Sequence, residues 1–344
     1  MTARQIKVAL VGAGNIGRAF LQLMLDKAAL LEQRHGFQMV LVGLADRSGA
    51  ALSAAGLEPE GLLALKAAGR GVGDLALGGQ PGMPPDEMVR RCGADLLLEA
   101  SPTNIVDGQP GLRTMETALG LGLHVVSANK GPLVLAYPRL LALAREHGVM
   151  LKHSAAVADS CPTVNIGQRD LLGCDIARVE GIFNMTTNTI LCRMEEQGLT
   201  FAEALAQAQA EGIAEADPTL DIDGWDAANK LVILANSVLG LPATLRDVEI
   251  EGIRAVHVEA LQRARATGAA IKLLATATQV GASYKLAVRP TTIPLDHPLA
   301  RLAADQMGIV YHTDVQGTIS AVAGQQGVVT TAGAMLRDVI AICG

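Results

Sequence analysis

Short apolar runs alternate with helically spaced apolar residues along the first half of the chain. Runs at residues 6–11, 39–45, 95–99, 124–127 and 149–153 predict strands. The segments between these runs predict helices over about 111–122 and about 137–147, and a helical region from about 49 to 92 that includes a loop at 78–85. Because strands that alternate with helices form parallel sheets covered on both faces, this half predicts a Rossmann-type doubly wound α/β domain.

The alternation of strand and helix stops after residue 153, where a second domain begins. Residues 174–184, 271–292, 309–315 and 317–322 predict strands of a small mixed sheet. We therefore predict an α+β domain for substrate binding and dimerisation over residues 154–322, beside a nucleotide-binding domain over residues 1–153. The last predicted helix, about 331–342, is amphipathic, and we expect the segment 323–344 to pack on the first domain.

Composition and charge narrow the class of function. Half of the 344 residues are hydrophobic and only 2% are aromatic, so the core is built from Ala, Leu, Val and Ile. A net charge of −6 and few aromatic side chains argue against a nucleic-acid-binding protein. No run approaches the roughly 18 apolar residues of a transmembrane helix, and no hydrophobic signal region follows the first residue. Five scattered cysteines without a Cys-x-x-Cys pair predict a reduced, cytoplasmic protein.

The first strand leads directly into a glycine-rich turn. Gly12, Gly14 and Gly17 have the spacing G-x-G-x-x-G, and a helix follows at once. In this context the glycines allow a tight turn and a close backbone approach, while the helix N-terminus attracts a pyrophosphate. The motif predicts a dinucleotide site that includes the intervening Asn15 and Ile16.

Polar residues follow three other strands of the predicted sheet. Asp46 ends the second strand, where a carboxylate can bind the ribose hydroxyls of NAD, but the adjacent Arg47 can bind the 2′-phosphate of NADP. The choice between NAD and NADP therefore stays open. Ser101 and Lys130 follow later strands, at the sheet edge where open α/β sheets bind ligands, so both are predicted beside the cofactor or substrate.

An acidic stretch in the second domain carries the clearest candidate chemistry. Its carboxylates are Glu215, Asp217, Asp221, Asp223 and Asp226, and Lys230 follows one helical turn after the last of them. A calcium loop is excluded because a lysine stands where the bidentate glutamate is needed. Two interpretations stay open: a solvated acidic loop with a surface ion pair, or a site that binds an ammonium and moves a proton with a lysine.

With these pieces the chain resembles the short type of homoserine dehydrogenase, which lacks a C-terminal regulatory domain. The resemblance runs from Gly12 to about Asp338 and rests on five motifs. They are residues 12–17, Ser-Pro-Thr-Asn at 101–104, Ser-Ala-Asn-Lys-Gly-Pro at 127–132, Thr-Thr-Asn at 186–188 and the acidic stretch 215–230. The resemblance implies a homodimer that transfers hydride reversibly between NAD(P)H and aspartate 4-semialdehyde to give homoserine, in threonine and methionine biosynthesis.

The resemblance also implies a role for each matching residue. Lys230 corresponds to the proton-transfer lysine, and Lys130 to a lysine near both the nicotinamide and the substrate. Asp226 accompanies Lys230, and Glu215 corresponds to the residue that binds the substrate amino group. The same resemblance places three further residues at the substrate: Asp221, Thr187 and Asn188.

Three positions depart from the family pattern. Residues 157–161 replace a glycine-rich loop that carries a backbone cation site in some members. Whether this chain binds a metal ion there therefore stays open. Met185 stands where glycine is common, and the turn at 323–328 has fewer glycines. Two alternatives follow: a paralogue that oxidises a related amino or hydroxy acid, and a non-catalytic nucleotide sensor. The retained lysines and carboxylates argue against the sensor, which needs no proton-transfer group.

Overall fold

A computed structural model describes residues 3–324 and 327–344 of the chain. The chain forms two compact units, one of Met1–Ser160 with Gly327–Gly344 and one of Cys161–Gln326. Part of the predicted turn at 323–328 lies outside the described residues. The assignment of substrate binding and dimerisation to residues 154–322 stays a prediction.

The helices and strands are numbered in chain order. The helices are α1 Asn15–Asp26, α2 Ala28–His35, α3 Pro59–Ala67, α4 Pro85–Cys92, α5 Gly111–Gly120, α6 Lys130–Glu146, α7 Thr163–Asn165, α8 Met185–Gln197, α9 Phe201–Ala210, α10 Thr219–Ile222, α11 Trp225–Ser237, α12 Val258–Ala266 and α13 Val328–Cys343. The strands are β1 Arg4–Val11, β2 Phe37–Asp46, β3 Gly49–Leu52, β4 Gly79–Pro81, β5 Leu96–Glu99, β6 His124–Ser127, β7 Leu151–Lys152, β8 Ile176–Ile182, β9 Val248–Ile250, β10 Ala269–Val280, β11 Ser283–Pro294, β12 Met307–Thr313 and β13 Thr318–Ala323.

The first unit contains a seven-stranded sheet in the order β4-β3-β2-β1-β5-β6-β7. The five strands from β2 to β7 in this order pair in parallel, and their buried apolar side chains continue the core of the unit. Helix α13 packs against α1 in the same unit. The predicted class, a Rossmann-type domain with a second mixed sheet, is confirmed.

Three predicted elements need correction. The region 49–92 is not helical throughout, because β3 and β4 extend the sheet edge antiparallel to β2. Its Gly-Ala-Ala-Leu strand has only one large apolar residue, Leu52, which is too few to produce a strand period, and pairing with β2 determines its conformation. Helix α6 begins seven residues before the predicted position, with non-helical backbone at Ala136 inside it. The predicted strand 271–292 is a hairpin whose turn includes Gly281 at φ +60°.

The second unit contains a six-stranded mixed sheet in the order β13-β12-β8-β10-β11-β9. Only the edge pair β11 and β9 is parallel among the pairings of this sheet that the described residues make. Helices α8 and α11 both contact β10. Among residues 3–324 and 327–344, no helix combines the length and apolarity that crossing a bilayer requires.

Candidate functional site

A cavity of about 1100 Å³ lies at the carboxyl ends of β1, β2 and β5 in the first unit. It is large enough for a dinucleotide cofactor. Residues predicted to bind the cofactor line it: Gly12, Gly14, Asn15, Ile16, Asp46, Arg47 and Ser101. The structure thus brings together predicted residues that come from three separate strand ends.

The structure gives a different reason for glycine at each of the three positions of the turn. Gly12 has φ +100°, and an added Cβ would lie 2.3 Å from the carbonyl oxygen of Ala100. A Cβ on Gly17 would lie 1.8 Å from the carbonyl oxygen of Gly12. A Cβ on Gly14 would meet no atom within 4 Å, although this residue caps α1 and lines the cavity. The fold therefore explains two of the glycines, and the third leaves open the space where a pyrophosphate would approach the helix N-terminus.

Asp46 is held by several donors at the rim of this cavity. Its carboxylate lies 2.6 Å from Lys66 Nζ and accepts the backbone N–H of Ser48 at 2.9 Å and of Val72 at 3.3 Å. Burial would raise the pKa of Asp46, but the bonds from Lys66 and Ser48 outweigh it and hold the pKa below its ordinary value. Lys66 could not be predicted as a partner of Asp46 from local sequence, because it lies 20 residues further along the chain.

Ser101 and Lys130 lie after β5 and β6, as predicted. Ser101 lines the cavity, while Lys130 is half-buried and is the first residue of α6. Asn129 caps this helix because its Oδ1 accepts the backbone N–H of Gly131 at 3.0 Å. Lys130 therefore stands at the start of a helix rather than within a loop.

The second unit contains the predicted lysine and its carboxylates. Lys230 is 8% exposed, and its Nζ lies 2.6 Å from Asp226 Oδ2 and 2.5 Å from the carbonyl oxygen of Phe183. Both charged residues lie on the first turns of α11, one turn apart. This ion pair is largely buried, which disagrees with the interpretation as a solvated acidic loop with a surface ion pair.

Asn184 connects this pair to a second carboxylate. Its Nδ2 donates to Asp221 Oδ1 at 2.7 Å and to Asp226 Oδ2 at 3.0 Å, while its Oδ1 caps α8 by accepting the backbone N–H of Thr187. Asn184 was not among the site residues predicted from the sequence. Its position directly before a predicted helix is typical of an N-cap residue and was the only local signal.

The other predicted residues of this unit have different surroundings. Asp217 caps a turn and Asp223 pairs with Arg254, so these two behave as an ordinary acidic loop. Glu215 is exposed on the loop before α10. Thr187 and Asn188 are buried, and the Asn188 amide donates to the carbonyl oxygens of residues 303 and 306. The roles of Glu215, Thr187 and Asn188 at the substrate stay predictions.

One cluster of the second unit has the residue types of a metal site. Glu180, His297 and His312 present ligand atoms within 4.8 Å of one another, the only such group among the described residues. However, the backbone N–H of Leu299 points at His297 Nδ1 from 3.2 Å, and Arg178 lies 2.8 Å from Glu180. His297 therefore carries its proton on Nε2 and donates it to Glu180. This arrangement fits a hydrogen-bonded cluster rather than a cation site.

Two family models match the chain, one in each part of its length. The model described as the NAD-binding domain of homoserine dehydrogenase matches residues 12–154, and the model described as homoserine dehydrogenase matches residues 162–340. The chain belongs to the homoserine dehydrogenase family. The family predicted from the sequence motifs is thereby confirmed.

Individual homoserine dehydrogenases resemble the chain over nearly its whole length. The NAD(+)-dependent homoserine dehydrogenase of Pseudomonas canavaninivorans is 36% identical, over 98% of this chain and 96% of the relative. The homoserine dehydrogenase of Methanocaldococcus jannaschii is 36% identical over 97% and 98%. The crystal structure of a putative homoserine dehydrogenase from Archaeoglobus fulgidus matches with a TM-score of 0.89 at 36% identity, covering 98% of this chain and 99% of that one.

A hyperthermophilic archaeal homoserine dehydrogenase in complex with NADPH matches with a TM-score of 0.84 at 25% identity, covering 98% of this chain and 97% of that one. Homoserine dehydrogenases are NAD(P)-dependent oxidoreductases that act on a hydroxyl group. This chain is an enzyme of that class. The predicted NAD(P) cofactor is confirmed at this level, and the names of the relatives include both NAD(+) and NADPH.

Proposed function

We propose that the chain oxidises homoserine to aspartate 4-semialdehyde with NAD(P), and catalyses the reverse reduction. The observation that carries this proposal is the buried pair of Lys230 and Asp226, tied through Asn184 to Asp221. Homoserine brings an ammonium, which carboxylates bind through charge-assisted hydrogen bonds, and a hydroxyl, which must lose a proton. The acidic stretch offers groups for both tasks.

In this proposal Lys230, as the uncharged amine, takes the hydroxyl proton as the alcohol is oxidised and becomes the ammonium that pairs with Asp226. Asp226 and the carbonyl of Phe183 hold its Nζ in place. Glu215 and Asp221 bind the substrate ammonium, with Thr187 and Asn188 beside the substrate. Asn184 fixes the carboxylates of Asp221 and Asp226 by donating to both of them.

The first unit binds the nucleotide in the cavity around Gly14. The nicotinamide, when bound, accepts or donates the hydride. The open space at Gly14 and the N-terminus of α1 fit a pyrophosphate, and Asp46 with Arg47 lies where the second strand ends. We assign Lys130 a place near both the nicotinamide and the substrate hydroxyl.

A steady-state assay of the full chain tests the function. Homoserine and a panel of related alcohols, including 2-hydroxy acids and serine, are supplied with NAD or NADP, and reduced nucleotide is followed by absorbance. We expect homoserine to have the highest kcat/KM. A higher value for a relative would favour the paralogue that Met185 and residues 157–161 suggest, and nucleotide binding without turnover of any alcohol would favour the sensor.

We further propose that the protein is a cytoplasmic homodimer, as the family resemblance implies. Cys92, Cys174, Cys192 and Cys343 are free thiols, which fits a reducing compartment. Light scattering on the purified protein should give twice the mass of one chain, and cell fractionation should place it with cytoplasmic markers. A monomer, or recovery in another fraction, would contradict the respective part of this proposal.

A further inference from the structure

Glu99 is a fully buried carboxyl group at the end of β5 in the first unit. Its Oε1 accepts the backbone N–H of Ser101 at 2.9 Å, the Ser101 hydroxyl, and Asn129 Nδ2 at 3.3 Å. Its Oε2 has no hydrogen-bond partner in the part of the chain that the structure describes. All the hydrogen bonds of this carboxyl therefore converge on one oxygen.

The surroundings of Glu99 join two loops that follow neighbouring strands. The backbone N–H of Ala128 donates to the Glu99 carbonyl at 2.9 Å, and Asn129 Nδ2 also donates to Ser101 Oγ at 3.1 Å. Ser101 lines the nucleotide cavity, and Asn129 caps the helix that starts at Lys130. One buried carboxyl thus contacts a cavity residue and the residue that precedes the proposed active-site lysine.

The other residues of β5 show that packing alone does not require a carboxyl group at position 99. Leu96, Leu97 and Leu98 are all fully buried, and an apolar residue at position 99 would complete the strand without burying a polar group. A space also exists for the Asn129 amide, because an added Cβ on Gly111 would lie only 2.6 Å from its Nδ2. The local structure is therefore built around these polar contacts.

We propose that Glu99 is a positioning residue that holds Ser101 and Asn129, and through them the nucleotide cavity and Lys130, in the geometry for hydride transfer. Its side chain is fully buried and does not line the nucleotide cavity. Among the described residues, Oε2 has no hydrogen-bond partner and no cation contacts the carboxyl group. Both observations indicate that the group is uncharged. Burial raises the pKa of Glu99 against the opposing bonds from Ser101 and Asn129, which agrees with a neutral acid. The inference rests on the proposed function for the role of Lys130.

Two substitutions of nearly equal size separate positioning from burial. Glu99→Gln keeps the Oε1 acceptor and replaces Oε2 by an amide, so it should keep the affinity for NADH or NADPH and kcat within about threefold of the original values, since a neutral acid loses little in this exchange. Glu99→Leu removes the acceptor, and we expect a loss of about tenfold or more in nucleotide affinity and in kcat, because Ser101 and Asn129 are left without their partner.

Leu97→Ala is the matched control on the same strand. It removes buried apolar volume without touching the network, so it should lower the melting temperature and leave kcat unchanged at temperatures well below melting. If Glu99→Leu affects only the melting temperature, as this control does, the inference is overturned. It is also overturned if Glu99→Gln loses as much as Glu99→Leu, because the charge rather than the geometry would then matter.

A double-mutant cycle tests the connection to Lys130. If Glu99 acts through Lys130, the effects of Glu99→Leu and Lys130→Met on kcat should not add, whereas independent sites would give additive effects and contradict the connection. Titration of reduced nucleotide fluorescence is independent of the substrate. If the original protein oxidises no homoserine, the proposed function fails, while the change in nucleotide affinity in Glu99→Leu still decides the inference about the cavity.

Discussion

Asn184 donates its side-chain amide to Asp226 at 3.0 Å, and the same carboxylate oxygen lies 2.6 Å from the ammonium of Lys230. The oxygen is therefore shared by an uncharged donor and a cation. Because Asn184 also donates to Asp221, it keeps two carboxylates together that would otherwise repel each other. An amide side chain suits this position because it can donate to both carboxylates.

Replacing Asn184 by aspartate tests whether the site requires this amide donor. Asp is an equally good N-cap, so the start of α8 should be preserved, but a donor facing two carboxylates becomes a third acceptor. We expect turnover at neutral pH to fall by about tenfold or more, since a rise of about 1.4 kcal/mol in the activation free energy lowers the rate tenfold. The buried Asn236, which bonds to the backbone of Ala243, is the matched position, and Asn236→Asp should reduce stability while sparing turnover. Equal turnover in the two variants would remove Asn184 from the site.

The glycine turn gives a prediction that separates fold from ligand binding. Gly14→Val adds a side chain where no atom lies within 4 Å, so the protein should fold with a loss of only about 1 kcal/mol from the helix cap. Nucleotide affinity, measured by fluorescence titration, should be abolished because the side chain fills the proposed pyrophosphate position. Gly17→Ala is the control, and its Cβ overlaps the Gly12 carbonyl, so it should mainly lower the melting temperature. Unchanged affinity in Gly14→Val would contradict the assignment of the cavity.

The parts of the structure that could be predicted depend on local sequence. The strand, glycine turn and first helix are contiguous, and their sequence patterns predicted the fold class and several residues that line the cavity. The strand state of β3 comes from pairing with β2, and its small residues show no period. Asn184 and Asp46 could not be understood from sequence either, because their partners lie 37 and 20 residues away, respectively. Contacts at such separations have no local pattern.

Cofactor selectivity should respond to Asp46. Removing its carboxylate in Asp46→Ser eliminates repulsion of a 2′-phosphate and leaves the Lys66 ammonium without its partner, so the preference for NADP over NAD should rise by about tenfold, as expected for one charge-assisted hydrogen bond. Lys66→Met should change the ratio in the opposite direction. The measurement is kcat/KM for each nucleotide. A constant ratio in both variants would mean that neither residue is near the ribose.

We expect the buried His153 to make the free energy of unfolding decrease at acidic pH. It is fully buried against Tyr137, and burial, with the nearby charge of Lys152, lowers its pKa from 6.5 to about 3. Below pH 6.5 the unfolded chain takes up a proton that the folded protein excludes, so stability is lost as pH falls from 6.5 towards 3. At pH 5 this contribution is about 2 kcal/mol. His153→Phe keeps an aromatic ring, and its unfolding free energy should fall less steeply over this range. Parallel pH profiles would contradict the assignment.

The proton-transfer role of Lys230 can be separated from its pairing role. Lys230→Met keeps the apolar stem and removes the charge, and turnover should fall about a hundredfold to ten-thousandfold, the usual contribution of a general acid–base group. Lys230→Arg keeps a cation opposite Asp226, but a guanidinium does not release its proton at neutral pH. If Lys230 moves a proton, arginine should restore stability but not turnover. If it only neutralises Asp226, arginine should restore both.

Glu215→Gln provides the contrasting result within the same assay. It removes the proposed charged partner of the substrate ammonium. The Michaelis constant for homoserine should therefore rise and turnover should fall, because a ground-state contact is lost. Nucleotide affinity should stay unchanged in the Lys230 and Glu215 variants, since the cavity around Gly14 lies in the first unit. Should Lys230→Met retain normal turnover while Lys130→Met does not, the proton-transfer role belongs to Lys130. If neither substitution matters, the buried pair of Lys230 and Asp226 serves only to stabilise α11.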